Sequence, residues 1–147
     1  MPRILRVNHI GIATDATGSV QDFFTSDLGL PDGGSEWVPR DQVRVRFLPV
    51  GETRLELLQP VGDEGPVQKF LETRGPGVHH LCLEVDDLAG MLDHLKQRGV
   101  RLIDEQPRQG AHGSLVAFLH PKSTSGVLIE LVQAHSPETR ELTQHNT

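Results

Sequence analysis

The chain repeats itself, and that repeat confines it to folds built from two like halves. Val7-Asn-His-Ile-Gly-Ile-Ala-Thr-Asp15 and Val78-His-His-Leu-Cys-Leu-Glu-Val-Asp-Asp87 carry a histidine, alternating apolar positions and an aspartate at matching offsets, so that His9 aligns with His80 and Asp15 with Asp86. Each copy continues with a helix-period segment, a Gly-Leu or Gly-Val break, an apolar strand holding Phe-Leu (Phe47-Leu48 and Phe118-Leu119) and an aliphatic-Glu-aliphatic strand (Leu55-Glu56-Leu57 and Ile129-Glu130-Leu131). One histidine on the first strand and one glutamate on the last, twice over, makes four side chains of the metal-ligand type.

A length of 147 residues suits one domain, since single domains commonly run to ~100–200 residues. We expect two like modules of strands and a helix, about 4–60 and 77–134, joined by a short helix at 61–76 and followed by a polar tail at 135–147. The fold class is α+β. A formal net charge of -6 argues against nucleic acid and anionic membrane surfaces as partners, because both call for basic patches. No apolar run approaches the roughly 18 residues of a membrane span or forms a signal peptide. The single cysteine, Cys82, lies in an apolar run and has no partner for an intramolecular disulfide. A reducing, cytoplasmic setting fits that usage.

Alternation along Arg3 to Ala13 turns Asn8, Ile10 and Ile12 to one face and His9, Gly11 and Ala13 to the other. Ser19 to Leu28 predicts a helix whose Val20, Phe23, Phe24 and Leu28 pack on the Ile10/Ile12 face, with Gly29 at its C-terminal end. Pro31 to Arg40 predicts an irregular loop, with Trp37 a packing residue. Val43 to Val50 and Thr53 to Gln59 predict an antiparallel hairpin about Gly51-Glu52. A short helix follows, with Val67, Phe70 and Leu71 on its apolar side and its end near Gly75.

In the second copy, His79, Leu81, Leu83 and Val85 share the helix side, and His80, Cys82 and Glu84 the opposite one. Asp86 and Asp87 open a helix with Leu88, Met91, Leu92 and Leu95 as its stripe. Arg101 to Ile103, Ser114 to Leu119 and Val127 to Gln133 are expected strands, and Pro107 to Gly113 a loop.

Two imidazoles and two carboxylates suit a divalent ion such as cobalt, manganese, zinc or nickel, and the absence of thiolate donors argues against a soft-metal site. A lone His or Glu among apolar residues is ordinarily a hydrogen-bonded rim position. Equivalent placement in both copies shifts the balance toward a ligand set of His9, Glu56, His80 and Glu130.

The phrases VNHIGIAT, LELLQPVG, GVHHLCLEVDD and GAHGSLVAFLHPKSTSGVLIELVQ, in that order over about residues 4 to 134, resemble the methylmalonyl-CoA epimerases. These belong to the vicinal oxygen chelate superfamily, with glyoxalase I and the extradiol dioxygenases. The resemblance implies paired βαβββ modules whose curved, open, barrel-like sheet surrounds a metal-floored cavity, with His9, His80 and Glu130 at metal-ligand positions and Glu56 at a position that holds Gln or Glu in relatives. It implies interconversion of (2R)- and (2S)-methylmalonyl-CoA through a metal-stabilised enolate, with Glu130 as ligand and catalytic base. Some relatives carry a glutamate where this chain has Val45, so the second base differs from their pattern. A homodimer is also implied, in keeping with the sheet edges that a small two-module domain leaves to cover. The competing readings are a glyoxalase-type lyase with similar ligands and a non-catalytic drug-binding protein of the same fold. His112, in Gly110-Ala-His-Gly113, and Lys122, after His120-Pro121, are secondary candidates for a moving loop and an anion contact.

Overall fold

The computed structural model describes residues 1–15 and 17–134. The tail expected at 135–147 lies outside them. The fold is α+β, with strands β1 (Ile4–Ala13), β2 (Ser35–Val38), β3 (Val43–Val50), β4 (Thr53–Pro60), β5 (Gly77–Val85), β6 (Arg108–Gln109), β7 (Leu115–Leu119) and β8 (Ile129–Gln133). Its helices are α1 (Thr17–Asp22), α2 (Pro66–Arg74) and α3 (Leu88–Gln97). Among the described residues two compact units form: Asn8–Leu81, and Met1–Val7 with residues 82–134. No helix among the described residues is long and apolar enough to cross a membrane.

In the unit Asn8–Leu81 the strand order is β2-β3-β4-β1. Gly51, at φ 60, turns β3 back into β4, where Val50 faces Thr53 and Val43 faces Pro60. A residue without Cβ takes that left-handed conformation without strain, which sets the hairpin register. β1 then runs parallel to β4, pairing Gly11 with Glu56 and Ala13 with Leu58. The register puts His9, Gly11, Ala13, Glu56 and Leu58 on one face, because side chains alternate strictly along a strand. The far end of that face is filled: Ala13, Val43, Val45, Leu58 and Val67 form a buried cluster, with Phe70 and Leu71 of α2 packed against it. Helix α2 therefore lays its expected apolar side, Val67, Phe70 and Leu71, over the far end of the face that carries His9.

Three expectations fail in this unit. Helix α1 stops at Asp22, and Phe23–Asp27 wind as a π-helical turn closed by the Leu28 N–H donating to the Phe23 carbonyl at 2.9 Å. The wider turn breaks the 3.6-residue register on which the apolar stripe depended. Phe23 and Leu28 consequently stand 48% and 57% exposed instead of packing on the sheet. The segment read as an irregular loop contains β2, which pairs antiparallel with β3. Trp37 sits on that edge strand 42% exposed, so it is not a core residue.

The other unit has the order β5-β8-β7-β6. Asp87 caps α3 by accepting the Gly90 N–H, and the helix lays Leu88, Met91 and Leu92 into a cluster with Val85, Ala117, Leu119 and Leu131. Burying each such leucine contributes about 1.5–3 kcal/mol relative to exposure. Asp86 binds the Arg3 N–H at 2.8 Å, which, with the Arg3 guanidinium, holds its carboxyl below the usual range. The expected strand at Arg101 to Ile103 is reduced to one bridge between Leu102 and Leu119, and the expected loop after it contains β6. Neither stretch has enough consecutive apolar alternation to reveal which residues find a neighbouring strand.

Candidate active site

Strand β1 presents His9, β4 presents Glu56 and β5 presents His80, all of them more than nine-tenths buried. The Nε2 atoms of His9 and His80 lie 3.0 Å apart, with the rings nearly perpendicular at 89°. Gly11 makes this approach feasible: a Cβ added there would stand 2.3 Å from His80 Cε1. On its other side, His9 Nδ1 lies 2.8 Å from Asn8 Oδ1 and 3.1 Å from Glu56 Oε2. His80 Nδ1 faces His79 Nδ1 at 2.9 Å.

This geometry fits a divalent cation. Two nitrogens that each bind one ion at ~2.1 Å, at a right angle, are themselves about 3.0 Å apart. The acceptors around His9 Nδ1 favour the tautomer with hydrogen on that atom, leaving the Nε2 lone pair for a metal. For His80 the matching tautomer donates from Nδ1 to His79 Nδ1. Glu56 Oε2 is already engaged by His9 and by Arg54 Nε at 2.8 Å. In this contact Glu56 lies on the Nδ1 side of the His9 ring, away from the Nε2 pair.

Glu130 belongs to the other unit. There it pairs across the ladder with Phe118, on the face opposite Ala117 and Leu131, which join the α3 cluster. Val116 and Val132 share the Glu130 face and pack around the fully buried Cys82. The alternation expected for Glu130 and Cys82 thus holds. The repeat also extends into the register, since Phe47 faces Glu56 in one unit as Phe118 faces Glu130 in the other. Each of these rings carries a guanidinium, Arg54 over Phe47 at 5.6 Å and Arg108 over Phe118 at 5.3 Å.

The ring of His79 meets Phe70 of α2 edge-on at 5.0 Å and also contacts His80, which makes it a neighbour of the histidine pair. His112 is exposed and left-handed, at φ 55, within a 3-10 turn. Lys122 is exposed in the turn Pro121–Ser123, where its N–H donates to His120 Nδ1.

Two charged partners escaped the sequence reading. Arg54 is two residues before Glu56 on the same strand, and that spacing alone puts both on one face. Arg6 reaches the buried Glu84 at 3.2 Å, a pairing between β1 and β5 that no local pattern announces.

Residues 8–118 match the model of the Glyoxalase/Bleomycin resistance protein/Dioxygenase superfamily. The chain is 38% identical over 130 residues to the mitochondrial methylmalonyl-CoA epimerase of Bos taurus, covering 88% of this chain and 74% of that one. It belongs to the methylmalonyl-CoA epimerase family. Another relative, the ethylmalonyl-CoA/methylmalonyl-CoA epimerase of Cereibacter sphaeroides, is 38% identical over 87% of this chain and 97% of its own. Among solved epimerase structures, one in complex with methylmalonyl-CoA and NH4+ superposes with a TM-score of 0.84 at 32% identity, covering 91% of this chain and 97% of that one. The epimerase of Mycobacterium tuberculosis gives a TM-score of 0.85 at 32% identity, with 93% of each chain covered. An epimerase-family assignment agrees with the enzyme reading of the sequence and favours it over a lyase or a drug-binding module.

Proposed function

We propose that this chain interconverts (2R)- and (2S)-methylmalonyl-CoA by removing and returning the α-proton, with a divalent ion held by His9, Glu56, His80 and Glu130. The observation that carries the reading is the pair of buried Nε2 atoms 3.0 Å apart, backed by Glu56, in a chain of the epimerase family. The bound ion supplies Lewis acidity at the oxygens where enolate charge develops, an effect worth several kcal/mol. His9 and His80 orient two lone pairs toward one point, their rings held at Nδ1 by Asn8 and His79, and Glu56 joins the ion by turning away from its contact with His9 Nδ1. Glu130 takes the proton from the α-carbon and is the carboxylate assigned to the base role.

Arg54 pairs with Glu56 at 2.8 Å, and Arg108, the guanidinium over Phe118, pairs with Asp104 at 3.3 Å. Val45 is buried in the α2-facing cluster, so no carboxylate occupies the place where some relatives carry a second glutamate.

A homodimer is part of the proposal. Leu5 and Val7 stand exposed on one face of β1, an apolar surface that a second copy would cover. The buried, unbridged Cys82 suits a cytoplasmic setting. Incubation with (2R)-methylmalonyl-CoA in deuterated water is the deciding experiment: deuterium enters the α-position and the epimer accumulates. Failure of both, with metal bound, refutes the assignment.

A further inference from the structure

Resting on the metal reading above, we infer that the residue before each histidine, Asn8 in one copy and His79 in the other, is a positioning residue that fixes the tautomer of the ring after it. His9 Nδ1 lies 2.8 Å from Asn8 Oδ1, and His80 Nδ1 lies 2.9 Å from His79 Nδ1. Asn8 and His79 are equivalent positions of the repeat. Successive side chains along a strand point to opposite faces, so a contact between neighbours does not follow from the strand alone. It occurs in both copies, at the same ring atom. A neutral imidazole carries its hydrogen on one nitrogen only, and an acceptor at Nδ1 therefore leaves the Nε2 lone pair for an ion.

The two acceptors differ in kind. An amide oxygen can only accept, so Asn8 specifies one tautomer of His9 by its chemistry. It is also the acceptor that stays at Nδ1 when Glu56 turns to the ion. An imidazole Nδ1 accepts or donates, so His79 specifies His80 only while its own hydrogen is on Nε2 and its ring is held. Helix α2 supplies the hold. Phe70 meets the His79 ring edge-on at 5.0 Å and is itself packed against the buried cluster of Ala13, Val43, Val45, Leu58 and Val67, with the Arg74 guanidinium over its ring at 5.7 Å. One aromatic ring thus joins α2 to the acceptor of a site histidine.

The test is metal affinity, measured by competition with a chelator for zinc on the intact protein. His79→Asn gives the second copy the acceptor of the first and stays near wild type. His79→Phe keeps a ring against Phe70 and removes the acceptor, so it binds zinc about tenfold to a hundredfold more weakly, as does Asn8→Leu. Nitrogen NMR of the zinc-loaded wild type shows a scalar coupling between the His79 and His80 Nδ1 atoms through the shared hydrogen, a signature that packing alone does not produce. Wild-type affinity in His79→Phe, a loss in His79→Asn equal to that in His79→Phe, or absence of the coupling overturns the inference while leaving the metal reading intact. A wild-type protein that takes up no divalent ion overturns both.

Discussion

His9 and His80, 71 residues apart in the chain, meet through their Nε2 atoms at 3.0 Å while their Nδ1 atoms are each held by a different neighbour. Two unprotonated imidazole nitrogens at that separation repel unless a proton or a cation lies between them. His9→Ala and His80→Ala are therefore expected to lose bound metal and activity together, and metal content per chain beside the α-proton exchange rate checks it. A variant that retains full metal occupancy would remove that histidine from the ligand set.

Gly11 gives a sharper test of the same relationship. The alanine methyl of Gly11→Ala would meet the His80 ring at 2.3 Å, and its neighbours on the buried face leave little room to yield. Overpacking of this kind costs about 1–3 kcal/mol. Lowered thermal stability with weakened metal binding is the expected outcome. Stability loss with unchanged metal affinity would show that the His9–His80 separation is not what Gly11 protects.

Glu130 and Glu56 should respond differently to amide replacement. Glu130→Gln keeps an oxygen donor and removes the base, so it retains much of its metal and loses at least about a hundredfold in rate. Glu56→Gln is milder, since its carboxylate is already compensated by Arg54. Solvent deuterium exchange measured on metal-loaded protein distinguishes them. Wild-type exchange in Glu130→Gln would move the search for the base to His112 first.

Helix α3 and the π-helical turn offer a contrast in stability. Leu92, 1% exposed at the centre of the α3 cluster, should cost about 2–5 kcal/mol on replacement by alanine. Leu28→Ser, at a position 57% exposed, should stay within about 0.5 kcal/mol of wild type. Urea unfolding curves measure both. A large loss for Leu28→Ser would restore the buried amphipathic helix suggested by the sequence.

The acid limb of stability should depend on Asp86. The Arg3 N–H, and then the Arg3 charge, hold its folded-state carboxyl below the ordinary value of ~3.9. A depressed carboxylate stabilises the fold above the unfolded-state value, and that stabilisation is lost as pH falls through the folded-state value. The melting-temperature gap between Asp86→Asn and wild type should thus be largest above about pH 4 and close at lower pH. A gap independent of pH would assign the loss to the hydrogen bond alone.

Local pattern determined the α+β class, the hairpin at Gly51, the cap and stripe of α3, and the alternation that sets Glu130 and Val132 opposite the α3 cluster. All of these are local: period-2 alternation, a glycine turn and a capping aspartate act between residues a few positions apart. Tertiary structure alone decided what those faces meet. It wound Phe23–Asp27 as a π turn, recruited Ser35–Val38 as an edge strand, laid α2 over the far end of the histidine face, and tied Arg54 to Glu56 and Arg6 to Glu84. Such outcomes depend on which surface is left to bury and which charge is left to pair once the sheet has formed, and in a single sequence those partners carry no periodic mark.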